Sequence, residues 1–190
     1  AADGSSYVFT ETANANFSLT DITCYSDNGN TNYTDDTLLN PQPTKVLANG
    51  TVTITPTVGQ KIRCDYTNAK KAKLTIVKDA QPNDAQDFAF TATGSGTSGF
   101  SLDDDADGTL SNTKVFTFDG SQLGSKSITE GAATGWTLTG ISCTKTNTGT
   151  GSTATVDIQA GDDVTCTFTN KQDATVQIIK DAQPNSAQDF

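Results

Sequence analysis

Lys78–Phe88 reads KDAQPNDAQDF, and Lys180–Phe190 reads KDAQPNSAQDF. The stretches differ at one position, so the chain contains an internal repeat, and the repeat governs how the rest is read. A second pair aligns Phe9–Cys24 (FTETANANFSLTDITC) with Ile128–Cys143 (ITEGAATGWTLTGISC). A third sets Cys64–Asn68 (CDYTN) against Cys166–Asn170 (CTFTN). These anchors predict that residues 1–71 are the C-terminal part of one repeat, 72–172 a complete repeat, and 173–190 the first strand of the next. Repeats that follow one another with almost no linker predict a stiff rod. The first copy carries an insertion around Asn28–Ala48, and its Asn40-Pro41-Gln42-Pro43 run is a loop signal.

Within the complete copy the apolar residues alternate. Lys73–Val77 places Leu74 and Ile76 on one face, and Asp87–Thr93 places Phe88 and Phe90 together. Short strands are predicted at Phe100–Leu102, Val115–Phe118, Lys126–Glu130, Thr137–Cys143, Thr153–Ile158 and Val164–Asn170. Leu138 and Ile141 have opposite parity, so Gly140 is expected to mark a bulge. No stretch has helical periodicity. The fold class is all-β, as tandem Ig-like two-sheet sandwiches. Phe17 and Trp136 occupy equivalent positions and are expected in the core, with carbohydrate stacking as the other reading.

Composition agrees with thin sandwiches. The 190 residues are 34% hydrophobic, and Thr, Ser, Gly, Asn and Asp fill much of the remainder. The formal net charge of −10 argues against nucleic acid and against an anionic membrane surface, since phosphate binding needs a basic face. No run is long and apolar enough to predict membrane insertion. His is absent, which removes Ser-His-Asp catalysis, Cys-His catalysis and His-ligated zinc. Cys24, Cys64, Cys143 and Cys166 form no C-x-x-C pair, so two disulfides in an oxidising, extracellular compartment are expected. Pairing within copies gives Cys24–Cys64 and Cys143–Cys166.

Polar residues stand at core-facing positions. Lys78 continues Leu74 and Ile76, Glu130 continues Ile128, and Asn170 continues Val164, Cys166 and Phe168. The first copy repeats this with Glu11 after Tyr7 and Phe9, and with Asn68 after Ile62, Cys64 and Tyr66. Lys180 follows Val176 and Ile178 in the same way. Burial lowers the pKa of a lysine and raises that of a glutamate, and a neutral amine is a nucleophile. A Lys–Glu ion pair with Asn as hydrogen-bond partner is the alternative.

The strand lysine Lys78, the Thr129-Glu130 pair before Gly135-Trp136, and Thr167-Phe168-Thr169-Asn170-Lys171 resemble the Cna B-type/SpaA-type prealbumin-like domains of bacterial surface proteins and pili. The resemblance covers the complete copy and most of the first. It implies an intradomain isopeptide bond, with Lys78 as nucleophile, Asn170 as acyl acceptor and Glu130 as catalytic acid/base. Glu11 takes the Glu130 role in the first copy. The partners of Asn68 and Lys180 are then expected outside this segment or in a neighbouring chain. A cysteine pair in each copy and the acidic loop depart from the family's commonest form.

That loop, Asp103-Asp104-Asp105-Ala106-Asp107-Gly108, fits D-x-D-x-D-G, the front half of a calcium loop. Asp103, Asp105 and Asp107 are the candidate ligands. Lys114 stands where an EF-hand has its bidentate Glu, so the readings are a calcium site closed by backbone carbonyls or a solvated acidic turn. Calcium is the one cofactor that the sequence suggests.

Taken together, these features predict a structural repeat of an extracellular stalk, pilus-like filament or adhesin, with neighbouring repeats or copies of itself as partners. A single self-modification is expected rather than turnover. The alternative is an adhesive module that binds a host or glycan ligand through loops such as Asn28–Ala48. Two readings of the ends are open: continuation of a longer repeat, or completion of the first copy by Thr175–Lys180 of a neighbouring molecule.

Overall fold

The computed structural model describes residues 4–105 and 107–181. Six strands and one 3-10 turn lie before residue 71: β1 (Tyr7–Thr10), β2 (Phe17–Ser26), β3 (Thr37–Leu38), β4 (Thr44–Val46), β5 (Thr51–Ile54) and β6 (Ile62–Lys70). Eight follow: β7 (Ala72–Gln81), β8 (Phe88–Thr93), β9 (Phe100–Leu102), β10 (Thr113–Phe118), β11 (Gly124–Glu130), β12 (Trp136–Cys143), β13 (Thr153–Ile158) and β14 (Asp163–Gln172). Strand placement follows the alternation, with ends extended by a few residues. The alternating stripe is buried: Ala72, Leu74, Ile76, Lys78 and Ala80 on β7, and Val164, Cys166, Phe168 and Asn170 on β14.

Strands β7–β14 form two four-stranded sheets, ordered β10-β7-β14-β12 and β13-β11-β8-β9. The first and last of them, β7 and β14, lie side by side and parallel, with Cys166 opposite Ile76 and Phe168 opposite Lys78. The other ladders are antiparallel. Between the sheets the core is aromatic. Phe90 stacks on Phe100 at 4.9 Å and meets Phe168 edge-on at 5.2 Å. Trp136 packs on this core and meets Phe88 edge-on at 5.5 Å.

Strands β1–β6 form two three-stranded sheets, β3-β2-β6 and β1-β5-β4. Their buried core is small: Ile22, Cys24, Val52 and Ile54. By the repeat, β1, β2, β5 and β6 correspond to β11, β12, β13 and β14. Among the described residues, no strand stands beside β6 as β7 stands beside β14, or beside β1 as β8 stands beside β11. This corrects the expected core. Phe9 is 52% exposed and Phe17 41% exposed, because Phe88 of β8, which meets Trp136 edge-on, has no counterpart beside β1 and β2 among the described residues. Residues 173–181 carry no strand, and Val176, Ile178 and Ile179 are exposed. Residues 182–190, which hold most of the second KDAQPN stretch, lie outside the described residues.

The insertion is anchored. The Gln42 side chain accepts from the Cys24 N–H at 2.9 Å and donates to the Cys24 carbonyl at 2.8 Å. Arg63 lies over the rings of Tyr25 and Tyr33, at 4.5 and 5.1 Å from their centres, and pairs with Asp36 at 2.9 Å. No helix among the described residues is long and apolar enough to cross a membrane.

Candidate functional site

Parallel pairing of β7 with β14 carries Lys78 to Asn170, and β11 brings Glu130 from the facing sheet. All three are buried, at 1%, 3% and 3% exposure. The Lys78 Nζ donates to Asn170 Oδ1 at 3.0 Å and to the carbonyls of Phe168 and Asp79, each at 3.1 Å. It lies 3.8 Å from Glu130 Oε1 and 4.1 Å from the centre of the Phe88 ring. Neither Glu130 carboxylate oxygen makes a hydrogen bond among the described residues.

The buried setting governs the charges. Burial pushes the Lys78 ammonium below the usual lysine value, against the pull of Glu130, Asp79 and Asp104. Burial pushes the Glu130 carboxyl up, against the pull of Lys78 and of the Asn170 amide, which lies near without meeting hydrogen-bond geometry. Both shifts run toward the neutral forms, and the neutral form of Lys78 is an amine beside a carboxamide.

A bulge shapes this corner. The β12 register shifts between Leu138, opposite Asn170, and Gly140, opposite Thr169. In the first copy the shift falls between Leu19, opposite Asn68, and Asp21, opposite Thr67. Each bulge sits beside the strand asparagine, where it re-aims the local side chains. Glycine is not what makes it, since Asp21 stands in the first copy where Gly140 stands in the second.

Glu11 and Asn68 also meet: Asn68 Nδ2 donates to Glu11 Oε1 at 2.7 Å. Here Asn68 is exposed rather than core-facing, because among the described residues no strand pairs with the β6 edge as β7 pairs with β14. A groove of about 960 Å³ opens on this pair, bordered by Phe17, Leu47, Lys71 and Asp119. Lys180 is exposed, in the segment without strand pairing.

Cys24 bonds Cys64 and Cys143 bonds Cys166. Each bridge joins directly opposed residues of neighbouring strands. The carboxylates of Asp103, Asp105 and Asp107 lie within 4.8 Å of one another.

Sequence reasoning missed several contributors. Phe88 floors Lys78, and its inward parity was the available signal. Asp79 accepts from the Thr169 hydroxyl at 3.1 Å, tying β7 to β14, and nothing in the sequence marks that contact. Lys126 is 1% exposed, with Nζ 4.9 Å from the Phe118 ring centre and 3.5 Å from the Leu123 carbonyl. It shares the parity of Ile128 and Glu130, so its inward position could have been read.

The fold and the buried cluster define a class: all-β sandwich units with a lysine, a glutamate and an asparagine where first and last strands meet. The chain belongs to the prealbumin-like fold domain family, whose model matches residues 1–70 and again residues 74–172. Solved structures with a similar course include a minor pilin of Streptococcus agalactiae at 12% identity, covering 84% of this chain and 85% of that one, with a TM-score of 0.30. The TIE protein of Bacillus anthracis is 11% identical over 90% of this chain and 42% of that one, at a TM-score of 0.38. The major pilin of Streptococcus pyogenes is 12% identical over 91% of this chain and 100% of that one, at a TM-score of 0.33. No curated protein sequence matches the chain.

Proposed function

We propose that this chain is a structural repeat of an extracellular bacterial surface stalk or pilus-like filament, and that its complete copy locks itself with an isopeptide bond between Lys78 and Asn170. The observation that carries this reading is the buried contact of Lys78 Nζ with the Asn170 carboxamide, with Glu130 at 3.8 Å. Glu130 takes a proton from the Lys78 ammonium. The free amine attacks Asn170 Cγ, the Nζ–Cγ bond forms, and the Cγ–Nδ2 bond breaks. Glu130 gives that proton to the departing nitrogen, which leaves as ammonia, and takes up the second proton that Nζ sheds as the amide forms, ending as the neutral acid. The product joins the first strand of the copy to the last. Pulling the termini then loads a covalent bond instead of a ladder of hydrogen bonds.

The three oxygens around Lys78 Nζ favour one other reading, since they suit an ammonium with three donors. In that case the cluster is a buried ion pair without a covalent bond. Intact mass of the 190-residue chain, with and without reductant, separates the two. The isopeptide predicts a loss of one ammonia in the parent that is absent in Glu130→Ala and in Asn170→Ala. A parent mass lacking only the hydrogens of its disulfides excludes it. Binding to a host surface or glycan that disappears when residues 28–48 are deleted would instead place the chain among adhesive modules.

A further inference from the structure

We propose that Asp103, Asp105 and Asp107 form a calcium site that pins the loop between β9 and β10 against β7. The proposal is independent of the isopeptide reading. Clustered acids alone do not make a site, because a surface loop can keep them apart in water. Here the carboxylate oxygens lie within 4.8 Å of one another, which concentrates three negative charges. Moreover, Asp103 is only 2% exposed, and its Oδ1 is buried without a hydrogen-bond partner among the described residues. A buried carboxylate oxygen with no partner is costly, and a cation among the three carboxylates supplies the missing partner.

The loop is shaped for this. Asp105 Oδ1 accepts the Asp107 N–H at 2.8 Å, and Asp107 Oδ1 accepts the Thr109 N–H at 2.6 Å and its hydroxyl at 2.7 Å. These bonds curl the chain so that alternate side chains converge. Gly108 turns it with φ +86°, a conformation that suits glycine. The intervening Asp104 faces away from the cluster: its Oδ2 accepts the Ala80 N–H at 3.0 Å and its Oδ1 accepts from Asn112 at 3.3 Å. At the loop's far end, the Asn112 carbonyl accepts the Lys78 N–H at 2.8 Å. The loop is therefore stitched to β7 on both sides of Asp79.

Hard oxygen donors without a fixed octahedral arrangement suit calcium better than magnesium, which demands tight octahedral geometry and holds its water. Lys114 belongs to β10, opposite Ile76, so the remaining ligands are carbonyls and water rather than a twelfth-position carboxylate.

The test is calcium titration of the whole 190-residue chain by calorimetry, with thermal unfolding followed in parallel. One saturable site is expected, with Kd on the order of 10⁻⁴ to 10⁻³ M, the range of extracellular calcium modules. Asp105→Asn should weaken it by about tenfold or more, and Asp103→Asn likewise, by removing ligand charge. Both substitutions keep the side-chain shape, and the calcium-free midpoint of each variant reports whether it folds. Magnesium at equal concentration should give little response. No saturable uptake at millimolar calcium would overturn the site, and so would uptake unchanged in both variants.

Discussion

The Thr139 hydroxyl donates to the Thr169 carbonyl at 3.0 Å, across the bulge of β12. The first copy repeats the bond, with Thr20 donating to the Thr67 carbonyl at 3.0 Å. The bulged residue is thus a threonine in both copies, and its side chain bonds the neighbouring strand where the ladder is interrupted. Thr139→Val keeps the shape and removes the donor. It should lower stability by about 0.5–1.5 kcal/mol in urea unfolding. Gly140→Ala should change little, since no atom lies within 4 Å of the added Cβ. A large loss at Gly140 would show that glycine, not the threonine bond, sets the bulge.

Removing either member of the buried pair should cost stability. Lys78→Met leaves Glu130 buried and Glu130→Ala leaves Lys78 buried, and burial pushes each remaining group toward its neutral form. On the isopeptide reading Asn170→Ala also lacks the bond but keeps the pair, so comparison with it isolates the polar cost. Each of the two variants should be less stable than Asn170→Ala, by up to roughly 3–5 kcal/mol in urea unfolding, the penalty for breaking a buried pair. A variant as stable as Asn170→Ala would mean that the group left behind is satisfied without its partner.

The two disulfides should matter unequally. Cys24–Cys64 spans 40 residues and Cys143–Cys166 spans 23. A typical bridge contributes about 2–4 kcal/mol, and loop length alone changes this by only a fraction. The difference lies in the core: four buried apolar residues support the first bridge, against the large aromatic cluster around the second. The Cys24→Ser/Cys64→Ser chain should lose protease resistance in residues 1–70 while 72–172 stays protected. Limited proteolysis with mass readout checks this.

Acid should loosen one corner first. Lys145 and the Gln159 N–H hold the Asp162 carboxyl below its ordinary 3.8. A carboxylate held low contributes stability above its ordinary pKa and loses it as pH falls through the lowered value. Stability should therefore decline below about pH 4 and decline less steeply in Asp162→Asn. The pair is partly exposed, so the difference should stay within about 1 kcal/mol. Urea midpoints at a series of acid pH values measure it.

Much of this protein was legible in the order of its residues. Alternation of Leu74, Ile76 and Lys78, and of Val164, Cys166, Phe168 and Asn170, depends only on the two-residue period of a strand. It marked which side chains would face inward before any sheet was assembled. The parity change between Leu138 and Ile141 announced the bulge for the same reason. Repetition placed corresponding residues in both copies. Tertiary structure decided what a one-dimensional pattern cannot hold: which strands become neighbours and what covers each face. The parallel pairing of β7 with β14 brings Lys78 within 3.0 Å of Asn170 across ninety-two positions of sequence. The same motif is open to water around Glu11 and Asn68, because among the described residues no strand lies where β7 lies in the other copy. Phe9 and Phe17 share the pattern of Ile128 and Trp136 yet stand exposed, and Asp103 is buried although Asp105 and Asp107 are not. Periodicity sets a side chain's direction, but burial is set by what arrives from elsewhere in the chain.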